Sequence, residues 1–225
     1  MGANGGKFSI AVLGGTGAEG SGLALRWARA GYPVIIGSRV EERARTHAAA
    51  LQARAAQVDI RGTDNLAAAA SADLVVLSVP YSAHRPTLEQ VEPALQGKIL
   101  VDLTVPLRPP AVRRVQLPPG QAAALEAQEL LGENVRVVAA FQNVSAEVLD
   151  DDAATVDCDV LICGNDPGAR DTVVELAAAA GMRGLHAGQL ANAVAVESLT
   201  PVLLFINRRY GGVHSGIRIM GLESV

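Results

Sequence analysis

Aromatic residues make up only 3% of this 225-residue chain, which contains three Phe, three Tyr and one Trp. Proteins that grip single-stranded nucleic acid usually stack bases on aromatic rings, and no such platform is available here. Basic charge is also scarce: 19 Lys and Arg stand against 23 Asp and Glu, a net charge of −4 with a pI near 5.6. That balance argues against a general binder of nucleic acid or of membrane surfaces. Cysteine is limited to Cys158 and Cys163, too few for a disulfide scaffold. The two are assigned to one strand at an odd separation, so their side chains should face opposite ways as buried, reduced thiols. Four histidines (His47, His84, His186 and His214) match no metal-binding spacing. No apolar run is read as approaching the roughly 20 residues that cross a bilayer. The opening Met1-Gly2-Ala3-Asn4-Gly5-Gly6-Lys7 lacks the apolar segment of a signal peptide, and Gly6 occupies the usual Ser/Thr position of a myristoylation signal. A flexible leader and a cytoplasmic location are the resulting expectations.

What is abundant is apolar. Hydrophobic residues reach 49% and charged residues 19%, which predicts a folded chain with a substantial core in a single domain. Eight runs have strand character: Phe8–Leu13, Val34–Gly37, Val58–Arg61, Leu74–Val79, Ile99–Leu103, Val135–Ala140, Val160–Cys163 and Met182–His186. Alanine-rich segments such as Ser21–Ala30, Glu41–Ala55 and Thr87–Leu95 alternate with them as helices. This alternation predicts an α/β fold with a mostly parallel sheet covered on both faces. Six strands within residues 1–146 predict a Rossmann-type doubly wound core of order 3-2-1-4-5-6. Residues 147–225 are too few for a separate substrate domain and predict a short α/β extension of the sheet. Within that extension Asp166-Pro167 reads as a helix start. Val194–Asn207 reads as a docked apolar helix, suited also to the interface of a homodimer. Gly211, Gly212 and Gly216 predict a flexible turn carrying His214 and Arg218.

The most specific local signal follows the first strand. Gly15, Thr16, Gly17, Ala18, Glu19 and Gly20 satisfy G-x-G-x-x-G with an apolar strand before and a helical pattern after. Gly15 is assigned the tight turn, Gly17 the close approach of a pyrophosphate, and Gly20 the packing of helix on strand. The pyrophosphate then sits on the free N–H groups and positive end of the helix. A glycine-rich turn without nucleotide remains the plainer alternative. The second strand ends at Gly37-Ser38-Arg39. An NAD enzyme normally carries an acid there for the ribose 2′-hydroxyl, whereas Ser38, Arg39 and Arg43 suit the 2′-phosphate of NADP(H). With a helix starting near Val40, Arg39 and Arg43 would share a face; ordinary solvated charges are the alternative.

Ligands of such folds lie where the winding reverses, across the carboxyl ends of strands one and four. Ser78, Val79 and Pro80 follow strand four, with Pro80 either holding the chain extended over the crevice or merely ending the strand. The stretch Thr104–Pro110 predicts a stiff loop at the same rim. Asp102 could be a general base, but a strand-end aspartate is more often a helix or turn cap. Gln142-Asn143-Val144-Ser145-Ala146 follows strand six.

Gly14-Gly15-Thr16-Gly17, Gly37-Ser38-Arg39, Ala140-Phe141-Gln142-Asn143-Val144-Ser145-Ala146 and Glu197-Ser198-Leu199-Thr200-Pro201 together resemble the NADPH-dependent coenzyme F-420 reductases, in order and over nearly the whole chain. The resemblance implies an oxidoreductase that passes hydride between NADP(H) and an 8-hydroxy-5-deazaflavin. It further implies that Thr16 to Glu19 wrap the pyrophosphate and that Ser38, Arg39 and Arg43 hold the 2′-phosphate. Ser78, Val79 and Pro80 would line the nicotinamide, Ala146 would offer backbone to its carboxamide, and Gln142, Asn143 and Val144 would meet the deazaflavin. Gln142 stands where histidine is frequent in the family; an amide donates and accepts hydrogen bonds but carries no proton or charge in that role. The related cytoplasmic domain of metalloreductases keeps similar nucleotide motifs and uses a flavin. No acid–base triad is required, and none is read. Two other readings stay open: an NADPH-dependent reductase of a flavin or small imine or carbonyl metabolite, and a non-catalytic NADPH-sensing module.

Overall fold

Short apolar strands form the centre of the molecule: β1 (Ile10–Leu13), β2 (Val34–Ser38), β3 (Ile60–Asp64), β4 (Leu74–Leu77), β5 (Ile99–Asp102), β6 (Arg136–Ala139), β7 (Asp159–Gly164) and β8 (Arg183–His186). In this computed structural model the described residues are 7–55, 57–151, 156–212 and 214–222; the expected leader, residues 1–6, lies outside them. The strands form a single sheet of order β3-β2-β1-β4-β5-β6-β7-β8. The first six run in parallel, as the doubly wound pattern predicts. β7 joins β6 antiparallel, and β8 lies parallel to β7 as the expected extension.

Alternating side chains divide the interior into two layers. Ile10, Val12, Ile36, Val76, Val101 and Val138 face one side, where α1 (Ala18–Arg29), α2 (Glu41–Arg54) and, later in the chain, the helix Pro167–Ala179 cover them. Ala11, Leu13, Ile35, Val75, Leu77 and Leu100 face the other, under α3 (Asn65–Ser71), α4 (Tyr81–Leu95) and α5 (Ala123–Leu131). The remaining helices are α6 (Ala146–Asp150), α7 (Pro167–Ala179) and α8 (Ala193–Tyr210). Asp166 caps α7 through its side chain, 2.6 Å from the Ala169 amide, with Pro167 in the first turn. Trp27 is fully buried, donates to the Leu176 carbonyl at 2.9 Å, and packs edge-on against Phe141, which locks α1 to α7.

Several elements differ from their sequence reading. β3 begins two residues later than expected and runs through Arg61, Gly62, Thr63 and Asp64, because an edge strand with one buried residue shows little apolar pattern. α4 starts at Tyr81, six residues early, and passes through Pro86 and Pro93. Its buried stripe of His84, Thr87, Leu88, Val91 and Leu95 outweighs the backbone bonds that two prolines remove. Cys158 precedes β7 instead of lying in it, yet the two thiols do fall in opposite layers, free and buried. Gly211 ends α8 in the left-handed conformation, and the chain beyond the glycines is tied to the sheet. The Ile217 carbonyl accepts from the Asp159 amide at 2.7 Å, and the Ile219 amide donates to Asp159 Oδ2 at 2.6 Å, beside the stretch of β7 that extends past β6. Arg183 clamps the same carboxylate with two bonds of 2.7 Å.

The expectation that no run reaches bilayer length also needs correction. Leu190–Tyr210, a short 3-10 turn leading into α8, spans 21 residues, with mean hydropathy 1.5 over an 18-residue stretch. Its first half is packed on the domain through Ala193, Val196, Glu197 and Pro201. Glu197 accepts from the Ala123 and Ala124 amides at 2.7 and 3.0 Å, tying α8 to the start of α5.

Candidate active site

The glycine turn is built from its backbone outward. Gly14, φ +74, takes the left-handed conformation, and Gly15 shares the tight turn as expected, since a Cβ there would lie 2.8 Å from the Val12 carbonyl oxygen. The Gly14 amide donates to Gly37 and its carbonyl accepts from Gly17, closing the loop before α1. Gly17 precedes the helix in extended conformation, and no side chain caps it. The first N–H groups of α1 are therefore left for an anion, at the positive end of the helix dipole. A Cβ added at Gly17 would meet only the Gly14 carbonyl oxygen, at 3.4 Å. The open cradle fits a diphosphate.

Two hollows flank this turn. One, of about 380 Å³, is lined by Thr16, Glu42, Arg43, Thr46, His47 and Ala50. Arg39 and Arg43 are both exposed, but Arg39 lies in the bend before α2, so the two do not share a helical face. Ser38 is buried at the end of β2, and its Oγ accepts from the Val40 amide. His47, which the sequence reading left unassigned, is held by Ser21 Oγ at 2.8 Å. Burial, with help from Arg54, depresses its pKa.

The second hollow is a cleft of about 530 Å³ running from Gly17, Ala18 and Glu19 past Ser78, Val79 and Pro80 to Gln142 and Val144. It unites most of the ring-end residues expected from sequence. The other wall comes from Tyr81, Leu103, Val105, Leu107 and Thr200, which the sequence reading placed at strand ends, in the rim loop or in a family motif without giving them a site role. Hydropathy could not give them roles, because each is an ordinary loop or helix residue until the fold sets it against the cleft. Pro80 is extended (φ −58, ψ 147) and ends the strand segment immediately before α4. The proline-rich loop does reach the rim, contributing Val105, Leu107 and Pro109.

Not every expected residue joins the cleft. Asn143 is buried and turns toward β7, donating to the Asp159 carbonyl at 2.7 Å. Ala146 opens α6 and lines a separate hollow with Asn143, Leu203 and Asn207. Glu19 lines the cleft together with Gly17 and Ala18 of the glycine turn. Gln142 donates to the Asp102 carbonyl at 2.8 Å while its own carbonyl accepts from Thr200. Phe141, fully buried at φ +74, is the turn that swings Gln142 out of β6.

Asp102 has no exposed surface, which removes it as a general base. One oxygen accepts from the Thr104 amide at 2.9 Å, the turn cap that a strand-end aspartate favours, and the other meets His84 at 2.7 Å. Burial works against a charge on His84, but Asp102, together with Glu197 and Glu126, raises the imidazole above its usual value. Burial pushes Glu197 up to about 8 despite two backbone donors. These groups sit behind the cleft and brace it. Among the described residues no cluster of His, Cys, Asp or Glu could hold a metal ion.

Comparison with known proteins places this architecture. Residues 9–106 match the family model described as NADP oxidoreductase, coenzyme F420-dependent. The chain is 41% identical to the F420-dependent NADP reductase of Methanocaldococcus jannaschii, over 96% of this chain and all of that protein. It is 43% identical to the enzyme of the same name from Methanothermobacter marburgensis, over 96% and 99%. A crystal structure of an Arthrobacter protein, whose own assignment to these reductases is provisional, superposes with a TM-score of 0.81 at 26% identity, covering 96% of this chain and 100% of that one. With this likeness running end to end through both the glycine turn and the ring-end cleft, the chain belongs to the F420-dependent NADP reductase family.

Proposed function

We propose that this protein transfers a hydride between NADP(H) and coenzyme F-420. The observation that carries the reading is the single cleft of about 530 Å³ that leads from the uncapped start of α1 to Gln142 and Val144, walled mostly by apolar side chains. NADPH supplies hydride at nicotinamide C4, and the deazaflavin accepts it at C5. The chain's part is to bind, to orient and to exclude water. Thr16, Gly17 and the amides of Ala18 to Gly20 take the diphosphate, and Ser38, Arg39 and Arg43 take the 2′-phosphate. Val79, Pro80, Val105 and Val144 press the rings together, while Gln142 offers its amide to the acceptor. Asn143 and Ala146 act through the loop they anchor. The direct test adds coenzyme F-420, FMN or FAD to the protein with 4-deuterated NADPH. Coenzyme F-420 should be reduced and should carry the label at C5. Turnover with FMN or FAD alone would identify a flavin reductase, and binding without turnover a sensor.

NADP(H) preference rests on the absence of an acid at the end of β2. Arg39→Ala is expected to weaken NADPH by about 1.5–3 kcal/mol, the scale of a hydrogen bond to a charged group, and to leave NADH nearly unchanged. Nucleotide titration checks this; equal losses for both would refute the 2′-phosphate role. The free thiols accord with a cytoplasmic enzyme. A homodimer through the outer half of α8 would cover Val202, Phe205 and Tyr210, which are 44, 56 and 78% exposed.

A further inference from the structure

Glu19 is the one acid or base among the residues lining the ring-end cleft apart from the phenol of Tyr81. Its side chain is half-buried, with no hydrogen-bond or ion-pair partner among the described residues, and it stands on the first turn of α1. The surrounding walls offer it no charge. The β4–α4 turn contributes Ser78, Val79, Pro80 and Ser82, the proline loop Leu103, Val105, Leu107 and Pro109, and the far wall Gln142, Val144 and Thr200. Tyr81 is kept neutral, its pKa raised to about 12 by burial and by the hydrogen bond it donates to Glu126, with Arg108 the nearest cation acting on it. His84, Asp102 and Glu197 lie behind the wall and do not line the cleft.

A carboxyl without a partner in such a place is held in its neutral form: burial pushes Glu19 up to about 8. The positive end of α1 keeps ionisation within reach. The arrival of a cation in the cleft changes the balance. Nicotinamide is uncharged in NADPH and positively charged in NADP+, and Glu19 lines the same cleft as Ser78, Val79 and Pro80 and not the hollow of Arg43.

We propose that Glu19 senses the redox state of the nicotinamide, staying protonated beside NADPH and giving up its proton beside NADP+. This inference rests on the NADP(H) reading above. It couples the oxidised nucleotide to proton release, so NADP+ binds more tightly, relative to NADPH, as pH rises. During hydride transfer from NADPH the C4–H bond breaks with its electron pair, C5–H forms on the acceptor, and the cationic ring left behind favours loss of the Glu19 proton to solvent. Electrons and protons balance without another reactant, because the reduced acceptor's proton comes from the same solvent pool.

The test needs binding only. NADP+ and NADPH are titrated into wild type and Glu19→Gln by calorimetry, in buffers of differing ionisation enthalpy, from pH 6 to pH 8. Protonation of the 2′-phosphate and of His47 is common to both nucleotides and cancels in the difference. Wild type should release about half a proton or more per NADP+ beyond that for NADPH at pH 7, and its NADP+-to-NADPH Kd ratio should fall at least about fivefold over the range. Glu19→Gln should release no extra proton and hold the ratio constant. A wild-type ratio independent of pH, or the same extra proton from Glu19→Gln, overturns the inference alone. Failure of wild type to bind either nucleotide overturns the functional reading with it.

Discussion

Gly17→Val is expected to abolish binding of NADPH and NADH alike while leaving a folded protein. The native backbone at residue 17, φ −80 and ψ 159, is one that valine adopts readily. A Cβ there makes one ordinary contact, 3.4 Å from the Gly14 carbonyl oxygen, so the fold itself has room for the side chain. That room lies over the first turn of α1, where the uncapped amides would collect a diphosphate. Displacing the diphosphate forfeits several charge-assisted hydrogen bonds at about 1.5–3 kcal/mol each, a loss well beyond a hundredfold in affinity. Nucleotide titration, paired with circular dichroism and a thermal melt, reads both halves of the prediction. A folded variant that binds NADPH within tenfold of wild type would mean that the turn serves structure alone.

Gly14→Val should do the opposite and prevent folding. Residue 14 holds φ +74, where a β-branched side chain is strained. Its Cβ would lie 2.3 Å from the Ser78 carbonyl oxygen and 2.7 Å from Val79 Cγ1. The first is a backbone atom of the neighbouring strand end and cannot rotate away. Strain and clash together predict a loss above about 4 kcal/mol, against a total stability of about 5–15 kcal/mol for a domain. Even Gly14→Ala meets the same carbonyl, so its melting temperature should fall steeply. An alanine variant melting within a few degrees of wild type would contradict the turn geometry. Two glycines three residues apart thus separate: one is needed by the chain, the other by its ligand.

The central strands were legible because each is a continuous apolar run, and burial on both faces demands that composition. β3 was displaced in the reading for the converse reason: as an edge strand it buries only Ile60. α4 was read short because local rules stop a helix at Pro86, whereas five buried side chains on one stripe hold it together across the interruption. The glycine turn was recognisable by spacing, but which glycine takes the left-handed conformation depends on the strand end opposite, and that turned out to be Gly14.

The candidate site divides the same way. Chain order and residue type alone determined the α/β class, the winding, the nucleotide turn and the missing acid after β2, since all of these depend on neighbours in sequence. Tertiary structure decided which side chains meet. Asp102 became a buried partner of His84, Asn143 and Ala146 turned out of the cleft, and Tyr81, Leu107 and Thr200 turned into it. Glu19 is the sharpest case: its place in the motif assigned it to the diphosphate, and only the fold sets it on a cleft whose other walls are mostly apolar. Local propensity acts over a few residues, whereas the solvation of a carboxyl depends on everything packed around it, and only the assembled fold brings those groups together.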